Sequence, residues 1–229
     1  MNQIKVELQE TMGSDLSIAN AAWTSTYDKN KREDKYLDQD KINSLVRRLI
    51  LDHHGTPIES VIFRFWIRMP IFVDRQHMTH RIASHNGLSG RYRTMPEDFY
   101  EIPEDVNLIL NKCAMQFVAK DYYNICSEAN SSYRQAINQL KTMENTKIIT
   151  NNDFKRVREV LRGQLPTSGL TERTSIMNLR SFANYQKQRN SEYAQPEIKR
   201  VAELMLEEVK RANICPIAIK TLEEIEWKF

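Results

Sequence analysis

Residues that could bind an anion are concentrated in one short stretch, residues 79–93, which reads THRIASHNGLSGRYR. It contains three arginines, two histidines, two serines and an asparagine, and no acidic residue. Guanidinium groups suit phosphate because each can donate two parallel hydrogen bonds to it. Gly87 and Gly90 would let a ligand approach the backbone closely. The stretch therefore predicts a phosphate-binding loop, and the alternative is a basic loop that faces water.

A second polar cluster lies downstream, where Asn178, Arg180, Asn184 and Arg189 fall within 12 residues after the isolated Arg162. Arg180 and Asn184 are four residues apart, so on a helix they share one face. Arginine and asparagine together can bind an anionic group and the edge of a polar ring. A polar helix face exposed to solvent is the alternative interpretation.

A small sheet and a larger set of helices are predicted to position these clusters. Residues 61–69 alternate as a strand is expected to do, and residues 1–11 also read as a strand. An exposed loop is predicted over residues 27–40, and Gly55 is expected just past a helix that ends near His54. Helices are predicted near residues 12–25, 41–54, 71–83, 104–126, 128–145, 151–163, 173–189, 196–213 and 216–227. We therefore expect one α/β (α+β) domain over residues 1–229.

Composition and charge argue against several classes of protein. No apolar run approaches the roughly 20 residues that span a bilayer, and the first residues lack a signal-peptide pattern. The three cysteines have no metal or redox spacing, so we expect three buried thiols, no metal site and a cytoplasmic location. A net charge of +3 does not by itself indicate nucleic acid, and Tyr92 is the only aromatic residue within the basic stretch.

The two clusters together resemble the flavin-dependent thymidylate synthase (ThyX) family, whose signature reads RHRxxSxNxxSxR. All but the first of the corresponding residues match, and they are Thr79, His80, Arg81, Ser84, Asn86, Ser89 and Arg91. Other segments resemble family segments in the same order, namely MGSDLSIANAAWTS, HHGTPIES, PIFVDRQ, LSGRY, EVLRGQLP, the run from Asn178 to Arg189, and AQPEI.

The resemblance implies a fold, an assembly and an activity. The fold would be a small antiparallel or mixed sheet with long helices, in a homotetramer whose active sites are each built from several subunits. The activity would be methylation of C5 of dUMP to give dTMP, with methylenetetrahydrofolate as carbon donor and NADPH-reduced FAD as hydride source. The other thymidylate synthase class attacks C6 with a cysteine, but the sequence around Cys215 does not resemble that class.

The resemblance also assigns roles to residues. Nucleotide binding falls on Gln76, Ser89, Gly90, Arg91, Arg162 and Arg189. Within that set the catalytic residues are Arg189, which favours the N3-ionised uracil, and Ser89, which donates a hydrogen bond to substrate and is not a nucleophile. FAD binding falls on Ser25, Thr56, Thr79, His80, Arg81, Gly87, Asn178, Arg180 and Asn184. His54 and Tyr92 would lie in the folate and nicotinamide region, although His54 could instead cap helix-end carbonyls.

Four positions depart from the family pattern. Thr79 replaces an arginine, Gly87 a glutamate, Tyr193 a histidine and His77 a tryptophan. The first two changes remove one positive and one negative group, which keeps the local charge and enlarges the pocket. Three functions stay open: a dUMP methylase, a UMP or UMP/dUMP methylase of a nucleoside-antibiotic-type pathway, and a flavin- or nucleotide-binding protein without catalysis.

Overall fold

The computed structural model describes residues 3–26 and 38–229. The predicted loop over residues 27–40 therefore lies mostly outside the described residues, and Asp38 already caps the second helix. In chain order the elements are β1 (Lys5–Met12), α1 (Asp15–Trp23), α2 (Gln39–Leu51), α3 (Gly55–Ile58), β2 (Ile62–Pro70), α4 (Ile71–His77), β3 (Ser84–Gly87), α5 (Glu104–Lys112), α6 (Gln116–Asn145), α7 (Asn151–Leu161), a 3-10 turn (Arg162–Gln164), β4 (Leu170–Asn178), α8 (Leu179–Arg189), α9 (Pro196–Ala212) and α10 (Pro216–Glu224).

The four strands form one sheet in the order β1-β2-β4-β3. The alternation predicted for β2 is confirmed, because Val61, Phe63, Phe65, Ile67 and Met69 are all fully buried. Burying one face of a strand fixes its register, since a one-residue slip would turn these side chains outward. The predicted α/β class, with a small sheet and long helices, is confirmed.

The chain forms two compact units. The first unit contains Gln3, Arg68–Arg75 and Gly87–Glu172, and its helices α6 and α7 pack around Tyr133, Ile137 and Phe154.

The second unit contains the described parts of Ile4–Ile67, together with Gln76–Asn86 and Arg173–Phe229. Within it α9 packs on β1, and α10 packs on α2. The single domain predicted over residues 1–229 stays a prediction.

The helix predicted over residues 173–189 is wrong in its first part, because residues 173–178 belong to strand β4. Thr171, Thr174 and Ile176 are β-branched and favour a strand, and β4 lies between β2 and β3 in the sheet. Helix α8 begins only after Asn178, whose side chain accepts a hydrogen bond from the Ser181 backbone N–H at 2.8 Å. This is a typical N-cap.

Three predicted helix boundaries also differ from the structure. The break expected near residue 127 lies instead at Ala114, which has a left-handed φ of 55°, so α6 runs unbroken across residue 127. Helix α2 ends at Leu51, and the left-handed residue after it is His53 rather than Gly55. The helix predicted over residues 71–83 ends at His77, and strand β3 follows it.

The cysteine prediction is partly wrong, because Cys113 is exposed, whereas Cys126 and Cys215 are buried. Cys113 lies at the break between α5 and α6, and α5 has no buried residue. Across residues 3–26 and 38–229, no helix is both long and apolar enough to cross a membrane.

Candidate functional site

A chain of hydrogen bonds joins Tyr185, His77, Ser175 and His85 in the interior of the second unit. His77 Nδ1 lies 2.8 Å from the Tyr185 hydroxyl, and His77 Nε2 lies 2.8 Å from Ser175 Oγ. Ser175 Oγ also lies 3.0 Å from His85 Nδ1, and His85 Nε2 lies 3.2 Å from the His80 carbonyl oxygen. Strand β4 carries Ser175 and helix α8 carries Tyr185, so two elements from the end of the chain hold two histidines from its middle.

A carbonyl only accepts, so His85 Nε2 donates to the His80 carbonyl. Burial, and then the nearby His85 and Arg173, hold the pKa of His77 well below its usual value. His77 is therefore neutral, so one of its ring nitrogens donates and the other accepts.

His80 is anchored separately in the same unit. Its Nε2 lies 2.8 Å from Ser181 Oγ, and the Ser181 hydroxyl donates in turn to the Ile82 carbonyl. Burial, and then the charges of His85 and Arg189, lower the pKa of His80 to about 4. A histidine with this pKa is neutral at physiological pH, so it acts here as a hydrogen-bonding group and not as a cation.

Gln76, Thr79 and Arg189 are brought together by the structure. Arg189 Nη2 donates to Thr79 Oγ1 at 2.5 Å and to the Gln76 carbonyl at 3.3 Å. Thr79 Oγ1 donates to the same Gln76 carbonyl at 2.7 Å, and the Gln76 side chain donates to Gln195. Both described acceptors of Arg189 Nη2 are neutral oxygens. They hold the guanidinium in place without neutralising its charge.

Three of the residues expected to bind FAD line one cavity of about 460 Å³ in the second unit. Asn178 caps α8, Arg180 and Asn184 lie in its first two turns, and Arg180 Nη1 pairs with Glu59 at 2.8 Å. Gly55 gives this arginine room, because a Cβ atom on Gly55 would lie 2.9 Å from the guanidinium carbon. The cavity therefore presents amide and guanidinium donors of the kind that bind phosphate oxygens.

A second cavity in the same unit, of about 660 Å³, contains Ser25, His54 and Thr56. His54 precedes α3 and makes no side-chain capping hydrogen bond to it. Arg48 and Trp23 also line this cavity, so it combines a cation with an aromatic surface. Gly55 lies at its edge against Arg180, which places the two cavities next to each other.

The first unit holds the residues expected to bind the nucleotide phosphate. A Cβ atom on Gly90 would lie 2.8 Å from Arg162 Cδ, so the absence of a side chain at Gly90 lets Arg162 lie against the loop. Arg91 Nε donates to Glu159 at 2.7 Å, and this pairing lowers the pKa of Glu159. Buried Arg158 donates a hydrogen bond to the Arg91 carbonyl, which restrains the backbone of this loop.

The remaining expected site residues lie at or near the surface. Ser89 Oγ accepts from the Arg91 backbone N–H at 3.3 Å, which closes a tight turn. Tyr92 is 78% exposed, Arg81 is exposed, and Gly87 is the last residue of β3.

Sequence reasoning missed Ser175, His85 and Tyr185 as members of the interior network, and it noted His77 only as a departure from the family pattern. The signal that could have found Ser175 is the β-branched content of β4, which places Ser175 and Met177 on the buried side of the strand. Tyr185 lies on the buried face of α8, one turn before Arg189.

The comparisons with known proteins agree with one another. The family model described as "Thymidylate synthase complementing protein" matches residues 7–217. The flavin-dependent thymidylate synthase of Rickettsia bellii is 33% identical over 216 residues, which cover 90% of this chain and 71% of that protein. The enzyme of that name from Kosmotoga olearia is 34% identical over 220 residues, covering 93% and 86%.

Among solved structures, the chain is similar to that of a UMP/dUMP methylase, PolB from Streptomyces cacaoi, bound with 5-Br dUMP. The TM-score is 0.75 and the sequence identity is 26%, over 96% of this chain and 95% of that one.

Proposed function

Because the chain belongs to the flavin-dependent thymidylate synthase family, we propose that it methylates C5 of the uracil ring of dUMP to form dTMP. Methylenetetrahydrofolate would be the carbon donor, and FAD reduced by NADPH would be the hydride source. UMP is a second candidate substrate. A cytoplasmic homotetramer with shared active sites is part of the same proposal.

The observation that carries the proposal is the state of Arg189. Its guanidinium is held by two neutral oxygens, from Thr79 and Gln76, beside histidines that are themselves neutral. A fixed cation whose described acceptors are neutral can stabilise negative charge that develops on a uracil carbonyl or on N3. Ionisation of N3 would push electron density toward C5 and make it more nucleophilic without a covalent bond between enzyme and substrate.

Cys215 does not fit a mechanism that uses a cysteine nucleophile. Cys215 is buried, and burial followed by the charge of Asp15 raises the pKa of its thiol to about 12. The nucleophilic form of cysteine is the thiolate, so this group is not available at physiological pH. Activation by Arg189 is the route that the residues favour.

The phosphate of the nucleotide would bind to Ser89, Gly90, Arg91 and Arg162 in the first unit. Gly90 lets the Arg162 side chain lie against the loop, and the two arginines are exposed. Since the resemblance implies active sites built from several subunits, these residues and Arg189 can serve one nucleotide without coming from one chain.

The donors of the second unit fit a dinucleotide cofactor. Asn178, Arg180 and Asn184 in one cavity, with Ser25 and Thr56 in the adjacent one, supply donors suited to a pyrophosphate and to polar ring edges. Bound FAD supplies the hydride. The other residues proposed to contact it are Thr79, His80, Arg81 and Gly87, and His54 and Tyr92 are proposed for the folate and nicotinamide region.

UMP is retained as a candidate because of two observations. The similar solved structure is that of a UMP/dUMP methylase. In addition, Thr79 and Gly87 are smaller than the arginine and glutamate of the family signature, and a pocket lined by either residue would have more room for a substrate that carries a 2′-hydroxyl.

The experiment is a competition assay with purified protein, FAD, NADPH, methylenetetrahydrofolate and equal dUMP and UMP, with products identified by mass. Mostly dTMP supports the main proposal, and substantial 5-methyl-UMP supports the second candidate. Protein that holds FAD but forms neither product would contradict both and support a binding function without catalysis.

A further inference from the structure

The hydroxyl of Thr79 makes two hydrogen bonds at the residue where the family signature has an arginine. Its oxygen accepts from Arg189 Nη2 at 2.5 Å, and its proton goes to the Gln76 carbonyl at 2.7 Å. A hydroxyl can donate and accept at once, whereas a guanidinium has only donors. An arginine at this position would offer Arg189 no acceptor and would place a second positive charge beside it.

We infer that Thr79 is a positioning residue that orients the Arg189 guanidinium toward the uracil ring, an inference that rests on the proposed function. Gln76 completes the arrangement, because its carbonyl accepts from both Thr79 and Arg189. The three residues form a closed triangle of hydrogen bonds, and such a triangle restricts the rotation of the long arginine side chain. Thr79 stands where the family signature has an arginine, and its role is to position Arg189.

The neutrality of the anchor explains why it suits this role. A carboxylate partner would hold Arg189 as firmly but would cancel the charge that the substrate needs. Burial is the main cause of the lowered pKa of both His77 and His80, and the charge of Arg189 adds to it. A threonine hydroxyl holds the guanidinium and leaves its full charge for a ligand.

The test compares Thr79→Val with Thr79→Ser in the FAD-loaded protein. Valine has nearly the shape of threonine but no hydroxyl, and serine keeps the hydroxyl. Thr79→Val should lower kcat for dUMP by about 10-fold to 100-fold, with a smaller change in KM, because the hydrogen bond involves a charged donor. Thr79→Ser should recover most of the loss. Equal rates in the two variants would overturn the inference.

A spectroscopic measurement separates orientation from a general structural effect. Bound 5-fluoro-dUMP changes its ultraviolet absorbance when N3 ionises, so a pH titration reports how well the cation stabilises the anion. Thr79→Val should raise the apparent pKa of the bound N3 relative to wild type, and Thr79→Ser should leave it nearer to the wild-type value. An identical titration in wild type and Thr79→Val would contradict the inference.

Failure of the proposed function can be told apart from failure of this inference. Wild-type protein that methylates neither dUMP nor UMP would overturn the proposed function. Crystal structures of wild type and Thr79→Val would then decide whether Thr79 positions Arg189. A displaced or disordered Arg189 guanidinium in Thr79→Val alone would support this role, and an unchanged guanidinium would overturn it.

Discussion

Arg189 and Arg91 are both expected to bind the nucleotide, yet they differ in burial and in the charge of their hydrogen-bond partners. Arg189, in the second unit, is half-buried and held by the neutral oxygens of Thr79 and Gln76. Arg91, in the first unit, is exposed and paired with the Glu159 carboxylate at 2.7 Å.

The difference indicates two uses of the same side chain. A guanidinium held by neutral acceptors keeps its charge and its orientation, which suits stabilisation of a developing anion. An exposed guanidinium paired with a carboxylate can exchange that partner for a phosphate at little cost, because exposed ion pairs contribute only about 0 to 1 kcal/mol. We therefore expect Arg189 to affect turnover, and Arg91 and Arg162 to affect phosphate binding.

The largest expected effect is on turnover in Arg189→Ala. Removing the fixed cation should lower kcat by on the order of 100-fold to 1000-fold, as loss of one stabilising donor does in other enzymes. Bound FAD, measured by its absorbance, should be retained. Arg211→Ala, which removes an exposed arginine on α9, is the matched control and should turn over normally. Near-normal turnover in Arg189→Ala would show that the assigned role is wrong.

The neutral histidines around Arg189 predict a pH dependence of stability. The pKa of His80 is about 4 in the folded protein and near 6.5 when unfolded, so the unfolded chain binds the proton first as pH falls. The contribution of neutral His80 to the free energy of unfolding should be fully present above pH 6.5. It should fall by on the order of 2 to 3 kcal/mol as the pH drops toward 4. Denaturant unfolding across this range measures it.

His80→Gln is the matched variant for that titration. Glutamine can still hydrogen-bond Ser181 but does not titrate, so the loss of stability between pH 6.5 and 4 should become smaller. An unchanged slope would mean that the acid sensitivity comes from other groups.

Ser175→Ala should break the interior chain between His77 and His85. It leaves ring nitrogens buried without their partner, which costs roughly 1 to 3 kcal/mol of unfolding free energy. Ser127→Ala, on an exposed face of α6, should stay within about 0.5 kcal/mol of wild type. Thermal and denaturant unfolding of both variants test this, and equal stabilities would argue against the network.

The smallest expected effect concerns the phosphate-binding loop. Gly90→Ala should raise KM for dUMP roughly 3-fold to 10-fold, because the new methyl group would displace Arg162, for which we propose a charge-assisted contact with the phosphate. Gly163→Ala is the matched control, since a Cβ atom there meets nothing within 4 Å. Steady-state kinetics should show no change in the control, and the same KM in both variants would argue against a phosphate role for Arg162.

Much of the fold could be predicted because its signals are local. The alternation in β2 and the apolar periodicity of α7, α9 and α10 each follow from a short window of sequence. Strand β4 has a weaker local signal, its β-branched residues, and it pairs with β2 and β3, which are distant in sequence, so the helix prediction missed it.

For the candidate site, the sequence likewise predicted local features but not long-range contacts. Gapped motifs identified the residue types around Arg91, Arg162 and Arg189. The motifs gave no information on the hydrogen-bond partners of these arginines, because contacts such as that of Thr79 with Arg189 join residues 110 positions apart. Whether an arginine is neutralised or left charged therefore became visible only in the folded structure.

The most direct test of the two uses of arginine compares dUMP with deoxyuridine, which lacks the phosphate. The kcat/KM for dUMP divided by that for deoxyuridine is measured in wild type, Arg162→Ala and Arg189→Ala. We predict that Arg162→Ala lowers this ratio, and that Arg189→Ala lowers both values together and leaves the ratio unchanged. A ratio that stays constant in Arg162→Ala, or that falls in Arg189→Ala, would contradict the account.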